Sequence, residues 1–194
     1  MLYNSSMNKR KIFLNADQLR KVTGNRLQGT VKRNEIYIIL DNVLDTYNIG
    51  SVFRLADAVA AKKIYLCGGS ETPPNHRIKK ASINTTEVVE WEYCESALQA
   101  IQKLKIDNGQ LTIVAVEQAA TSVPYDKFEY KMPIALVVGH ESDGVSKEVL
   151  DLCDGIVQLP MFGINTSLNV MVSLGIVLYE VIRQTKNRRL LKVK

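Results

Sequence analysis

The sequence predicts an α/β protein built on one mostly parallel sheet flanked by helices, and three observations carry that prediction. Apolar runs at 36–40 and 134–138 show no polar alternation, as expected of strands buried on both faces. Helical segments alternate with the strands, as parallel crossovers require. Both apolar runs end in polar, glycine-bearing loops, the place where open sheets hold ligands. At 194 residues the chain has room for one such domain, with short appendages.

Taken in order, residues 12–27 read as a short basic helix and 35–41 as a buried strand. A polar loop follows, then a helix from about 48 to 60. Residues 63–67 form the second strand, ending in Gly68-Gly69-Ser70. Segment 71–86 holds Pro73-Pro74-Asn75-His76-Arg77 and Lys79-Lys80, and reads as an exposed loop with a short helical turn. Strand 88–93, amphipathic helix 95–107 and strands 111–116 and 134–138 come next. Ser146 is placed to cap a short helix through 152, and 156–159 is the last strand. The apolar stretch 168–182 is interrupted by Asn169, Ser173 and Glu180, and falls short of the roughly 20 residues that span a bilayer. It reads as a buried helix whose apolar residues extend around more than one face and need cover on several sides. No internal repeat, low-complexity run or second domain is visible.

Hydrophobic residues make up 46% and charged ones 23%, as in ordinary globular domains. Residues 1–34 lack the apolar core of a signal peptide. Cys67, Cys94 and Cys153 have no paired spacing and read as small buried hydrophobes of a cytoplasmic protein. His76 and His140 stand far apart with no third ligand at metal spacing, so no metal is expected; the lone Trp91 reads as a packing residue. Neither G-x-G-x-x-G nor a P-loop occurs, which disfavours dinucleotide and P-loop enzymes. Charge is segregated. Of 25 basic and 20 acidic residues, 1–34 hold eight bases (Lys9, Arg10, Lys11, Arg20, Lys21, Arg26, Lys32, Arg33) and one acid, Asp17. Residues 181–194 hold six bases and no acid, which leaves 11 bases against 19 acids for 35–180. Basic arms on an acidic body suit phosphate contacts that weaken with salt.

The small polar cluster Gly163-Ile164-Asn165-Thr166-Ser167-Leu168-Asn169 runs straight into the apolar stretch. Ser, Thr and Asn suit a helix N-terminus, where their oxygens meet unpaired N–H groups, and such a cluster sets ligand contacts on a rigid support. Segments 42–58 and 134–146 have the same character. The first contains Asn48, Gly50, Arg54 and Asp57 in an N-x-G-x-x-x-R-x-A-D-A pattern. The second contains Gly139, Glu141, Gly144 and Ser146 in G-x-E-x-x-G-V-S, and 160–170 reads P-M-x-G-x-x-x-S-L-N-V. In this order the three blocks resemble the SpoU/TrmH family of RNA 2′-O-ribose methyltransferases of the SPOUT class, over about residues 36–184.

The resemblance implies a C-terminal deep trefoil knot, a homodimer and methyl transfer from S-adenosylmethionine to a ribose 2′-hydroxyl. It divides the chain into a basic extension (1–34), the methyltransferase domain (35–184) and a basic tail (185–194). By the same resemblance Arg54 is the catalytic arginine. A guanidinium is a poor base, so its physically safer role is to clamp phosphate and steady a developing alkoxide. An ion pair with Asp57 is the bland alternative. Asn48 resembles a second substrate-side residue but equally suits a helix N-cap. Glu141 is expected to support the substrate side or a dimeric site, or to orient backbone N–H groups. Ser167 and Asn169 resemble residues lining the methionine and ribose region, with helix capping as the alternative. For the adenosine, Leu136, Val137, Gly139, Ile156, Gln158, Leu159, Met161, Ser167 and Leu168 would supply an apolar slot with backbone contacts. Gly139, lacking Cβ, would allow close ligand approach. Two departures stand out. Related sequences often carry a G-A pair where this chain reads Ser82-Ile83-Asn84-Thr85-Thr86, and Met171 and Ser173 replace smaller residues. The favoured substrate is tRNA; ribosomal RNA and a non-catalytic RNA-binding module are the alternatives.

Overall fold

The strand that the sequence marks most strongly, β1 (Asn34–Asp41), sits inside a seven-stranded sheet of order β3-β2-β1-β6-β4-β7-β5, and every pairing is parallel. The other strands are β2 (Ala61–Cys67), β3 (Glu90–Cys94), β4 (Thr112–Val116), β5 (Val123–Pro124), β6 (Ile134–Gly139) and β7 (Gly155–Gln158). The helices are α1 (Ala16–Arg20), α2 (Thr46–Ala58), α3 (His76–Ser82), α4 (Ala97–Asp107), α5 (Lys147–Leu150) and α6 (Val170–Leu191). This computed structural model describes residues 14–21 and 32–191, the last six of these by backbone alone. Most of both basic arms, and the ends of the helix anticipated at 12–27, lie outside the described residues.

Strand periodicity explains why β1 is apolar from Ile36 to Leu40. Ile36, Ile38 and Leu40 pack with Val52, Phe53 and Ala56 of α2 and with Leu174, Val177, Leu178 and Val181 of α6. Tyr37 and Ile39 face the other layer, with Ala97, Ala100, Ile101 and Leu104 of α4. Both faces are covered, so neither tolerates a polar residue. Register then aligns the strand ends that matter: Asp41 lies opposite Gly139, and Ala115 lies opposite both Val137 and Ile156.

Several local expectations change. Helix α2 starts at Thr46, because Asp45 caps it by accepting from the Tyr47 N–H at 2.7 Å. Asn48 is therefore an interior helix residue and not the cap, and it is buried. Ser146 precedes α5 without a capping bond; its hydroxyl and N–H instead donate to the buried Asp41 carboxylate at 2.7 and 2.9 Å. Segment 71–86 carries the expected short helix with its charges exposed, but it is also a wall of the core, with Ile78, Ser82, Asn84, Thr85 and Thr86 buried in and after α3. Gly50 makes this possible. A Cβ there would stand 2.6 Å from the Ala81 Cβ and 2.7 Å from the Ile78 carbonyl, so only glycine lets α2 and α3 meet. The two-residue β5 was not anticipated, being too short to show periodicity. Cys67 and Cys94 are buried, Cys153 is half-buried, and all three are free. Burial raises the Cys153 thiol to about 12, so it is inert as a nucleophile. Trp91 packs at the core edge as expected. No helix among the described residues is long and apolar enough to cross a membrane.

Candidate functional site

A cleft of about 420 Å³ opens at the carboxyl ends of β4, β6 and β7 and is closed by the segment that leads into α6. Of the residues expected to hold adenosine, Gly139, Gln158, Leu159, Met161, Ser167 and Leu168 line it, and Glu141 and Asn169 stand on its rim. The other three do not. Leu136 and Val137 are sealed inside β6, and Ile156 packs toward the opposite layer. They lie one or two positions before Val138 and Val157, where each strand opens into the cleft. The role given to Gly139 also changes. A Cβ there would stand 2.1 Å from the Gly144 backbone, so the bare Cα serves the tight turn closed by the His140–Gly144 bonds at 3.0 and 2.9 Å.

The three sequence blocks are joined by one chain of side-chain hydrogen bonds, two amides and a carboxylate. The Asn169 Nδ2 donates to the Asn48 Oδ1 at 2.9 Å, and the Asn48 Nδ2 donates to the Glu141 Oε1 at 3.0 Å. Glu141 further accepts from the Leu44 and Asp45 N–H groups at 3.1 and 3.0 Å. Burial pushes its carboxyl upward, but the bonds from Asn48, Leu44, Asp45 and its own N–H prevail and hold it below the ordinary carboxylate value. Asn169 is bonded at both ends, since its Oδ1 accepts from the Met171 N–H at 3.0 Å and caps α6. Glu141 thus orients backbone N–H groups, and Asn169 caps a helix, while both remain at the cleft.

Arg54 is different. It projects from α2 into solvent and has no partner among the described residues. The anticipated pair with Asp57 does not form; Asp57 is met by Arg33 at 3.4 Å, and that guanidinium also donates to the Val88 carbonyl at 2.6 Å. Arg54 is not among the residues lining the cleft of its own chain.

Sequence reasoning missed two residues of the cleft wall. Glu117 and Gln118 follow β4 and line the cleft. Glu117 accepts from the Val145 N–H at 2.8 Å, and the Gln118 Nε2 donates to the Thr166 carbonyl at 2.6 Å, which holds the 165–169 segment over the cavity. Asn165 and Thr166, from the polar cluster that the sequence singles out, line it as well. A polar pair directly after an apolar strand is the signal that the sequence carries for Glu117 and Gln118.

Comparison with known proteins bears on the family and the fold. A sequence model of the SpoU rRNA Methylase family matches residues 35–179. The tRNA (guanosine(18)-2′-O)-methyltransferase of Aquifex aeolicus is 33% identical over 81% of this chain and 73% of its own length. The crystal structure of the A. aeolicus TrmH/SpoU tRNA modifying enzyme superposes with a TM-score of 0.73 at 29% identity, over 89% of this chain and 83% of that one. An AdoMet-bound rRNA methyltransferase from Sinorhizobium meliloti gives 0.71 at 27% identity, over 85% of this chain and 59% of that longer one.

Proposed function

From the premise that the chain belongs to the SpoU rRNA methylase family, we propose that it is an S-adenosylmethionine-dependent RNA 2′-O-ribose methyltransferase that acts on tRNA. The observation that carries the reading is the cleft beside the Asn169–Asn48–Glu141 chain, with an unpartnered arginine on the same helix as Asn48. The cavity is within the size range of small-molecule sites, with apolar Val138, Leu159 and Met161 and several strand-end backbone groups in its wall. These features suit an adenosine. The cofactor supplies an electrophilic sulfonium methyl. In the transfer the 2′-oxygen would bond to that carbon as the carbon–sulfur bond breaks, which would release a neutral thioether, and the hydroxyl proton would pass to water. The protein's share is placement and electrostatics. Ser167 and Leu168 would flank the cofactor, Asn48 would present its amide edge toward the ribose, and Arg54 would grip the target phosphate bidentately. The Aquifex relative's name favours tRNA.

Two further features belong to this proposal. Leu168, and Val172, Ile176 and Tyr179 of α6, follow helical spacing and are exposed, with Leu44 and Tyr47 also exposed before and on α2. Such an apolar face suits a second copy of this chain, which would bring its Arg54 toward the cleft. The knot would be made by segment 159–169, which leads from β7 to α6.

The test is calorimetry with S-adenosylmethionine in chelator-treated buffer, followed by methyl transfer to tRNA and to rRNA fragments. Cofactor binding without added metal and 2′-O-methylation of tRNA are expected. Folded dimer that binds no cofactor up to millimolar concentration would end the enzyme reading.

A further inference from the structure

We propose that the exposed cationic face of α3, extended by the docked α1, is a track for the RNA backbone flanking the target nucleotide. This rests on the RNA-methyltransferase reading and adds where the polymer lies on the protein.

Helix α3 contains no acid and exposes His76, Arg77, Lys79 and Lys80. Arg77, Lys79 and Lys80 have no ion-pair partner among the described residues. Elsewhere on the body Lys62, Lys63, Lys103, Lys127 and Lys131 are matched by carboxylates, and the unpaired Arg54, Lys105 and Lys147 stand singly on three different helices. Three uncompensated charges on one short helix are therefore unlike the rest of a body that carries 19 acids against 11 bases. That imbalance would repel RNA from most other surfaces.

The placement is as specific as the charge. Ala81 of α3 lies over Gly50 of α2. Arg77 stands one turn before Ala81, and Arg54 stands one turn after Gly50. Residues four apart share a helix face, so each arginine stands one turn from the α2–α3 contact on its own helix. A phosphate held at Arg54 would thus have its neighbour along the strand close to α3.

Helix α1 lengthens the surface. The chain leaves α3 through two left-handed residues, Ile83 (φ 49°) and Asn84 (φ 68°). This turn brings the Asn84 Nδ2 within 3.4 and 3.5 Å of the Leu19 and Arg20 carbonyls, while Leu19 packs against the core. Arg20 and Lys21 are thereby carried to the edge of α3. The exposed Arg20–Asp17 pair, at 2.9 Å, is weak enough to yield to a phosphate. Phosphate contacts of this kind position an RNA without reading its bases.

The test is binding of a tRNA transcript across a salt series by the full chain, the double variant Arg77→Glu/Lys80→Glu and its alanine counterpart. Lys105→Glu, on α4 across the sheet, is the control. Charge reversal on α3 should weaken binding at least tenfold at low salt. The alanine variant should flatten the log-affinity against log-salt slope by about 0.7 to 0.9 per lost phosphate contact. The control should match the unmodified chain, and unchanged S-adenosylmethionine binding in every variant would show that the fold is kept. Unaltered affinity and slope in the folded α3 variants would overturn the track alone. An unmodified chain that binds cofactor but no RNA would overturn the RNA reading, and the track with it.

Discussion

The two sides of helix α2 teach different lessons. On one side Asn48 is buried, and both ends of its amide are bonded, to Asn169 and to Glu141. On the other, Arg54 is exposed and has no partner among the described residues. Among the described residues no buried side-chain polar atom lacks a hydrogen-bond partner. The cleft side is thus organised before any ligand arrives, so its dipoles need little rearrangement on binding. The solvent side keeps its charge in water, ready for a phosphate to replace hydration. One helix carries both because its face changes every few residues while its backbone is rigid.

The sharpest way to break this contrast is Arg54→Ala. Methyl transfer should fall at least 100-fold in single-turnover assays, the scale of losing one transition-state donor, while cofactor affinity stays nearly unchanged. Arg54→Lys should recover little, because a point charge cannot reproduce the planar fork. Near-normal turnover by the alanine variant would move catalysis to the Asn48 side.

A second substitution acts on the joint between the two sides. Gly50→Ala forces a methyl group to within 2.6 Å of Ala81 and 2.7 Å of a carbonyl, so α3 must shift. Overpacking of this kind costs about 1 to 3 kcal/mol, readable as a lower midpoint in urea. Since α3 moves and the cleft does not, RNA affinity should suffer more than cofactor affinity. Equal losses in both would show that the two sides are not separable.

The sequence made the parallel strands legible because they are covered on both faces, and the three blocks legible because they stand at strand ends or a helix start. It was weaker where one residue serves two elements. Asn48 looked like a cap because it follows a polar loop, yet Asp45 three residues earlier takes that role. Segment 71–86 looked exposed because its charges are conspicuous, whereas Ile78 and Ser82 turn inward against Gly50. Leu136, Val137 and Ile156 were assigned to the slot by their strands, but only register decides which residue emerges from a sheet. Glu117 and Gln118 belong to no block, and their pairing with Val145 and Thr166 spans 28 and 48 residues, distances that local pattern does not reach.

The smallest expected effect probes the bonded side through its charge. Glu141→Gln keeps the shape but removes the negative charge and turns one acceptor into a donor, which then faces the Asn48 amide or a backbone N–H. At neutral pH the loss should be about 1 kcal/mol, at the low end for bonds to a charged group because the carboxylate is partly solvated. The native carboxyl titrates below its ordinary value, so the unfolded chain takes up this proton first as pH falls. Its stabilisation is therefore complete above the ordinary carboxylate range and is lost as pH drops through the native value. Denaturation midpoints of the two proteins, measured from neutral to acidic pH, should differ most at neutral pH and converge in acid. A gap that stayed constant with pH would mean that the charge of Glu141 contributes nothing, and that Asn48 and Asn169 hold the three blocks together by neutral hydrogen bonds alone.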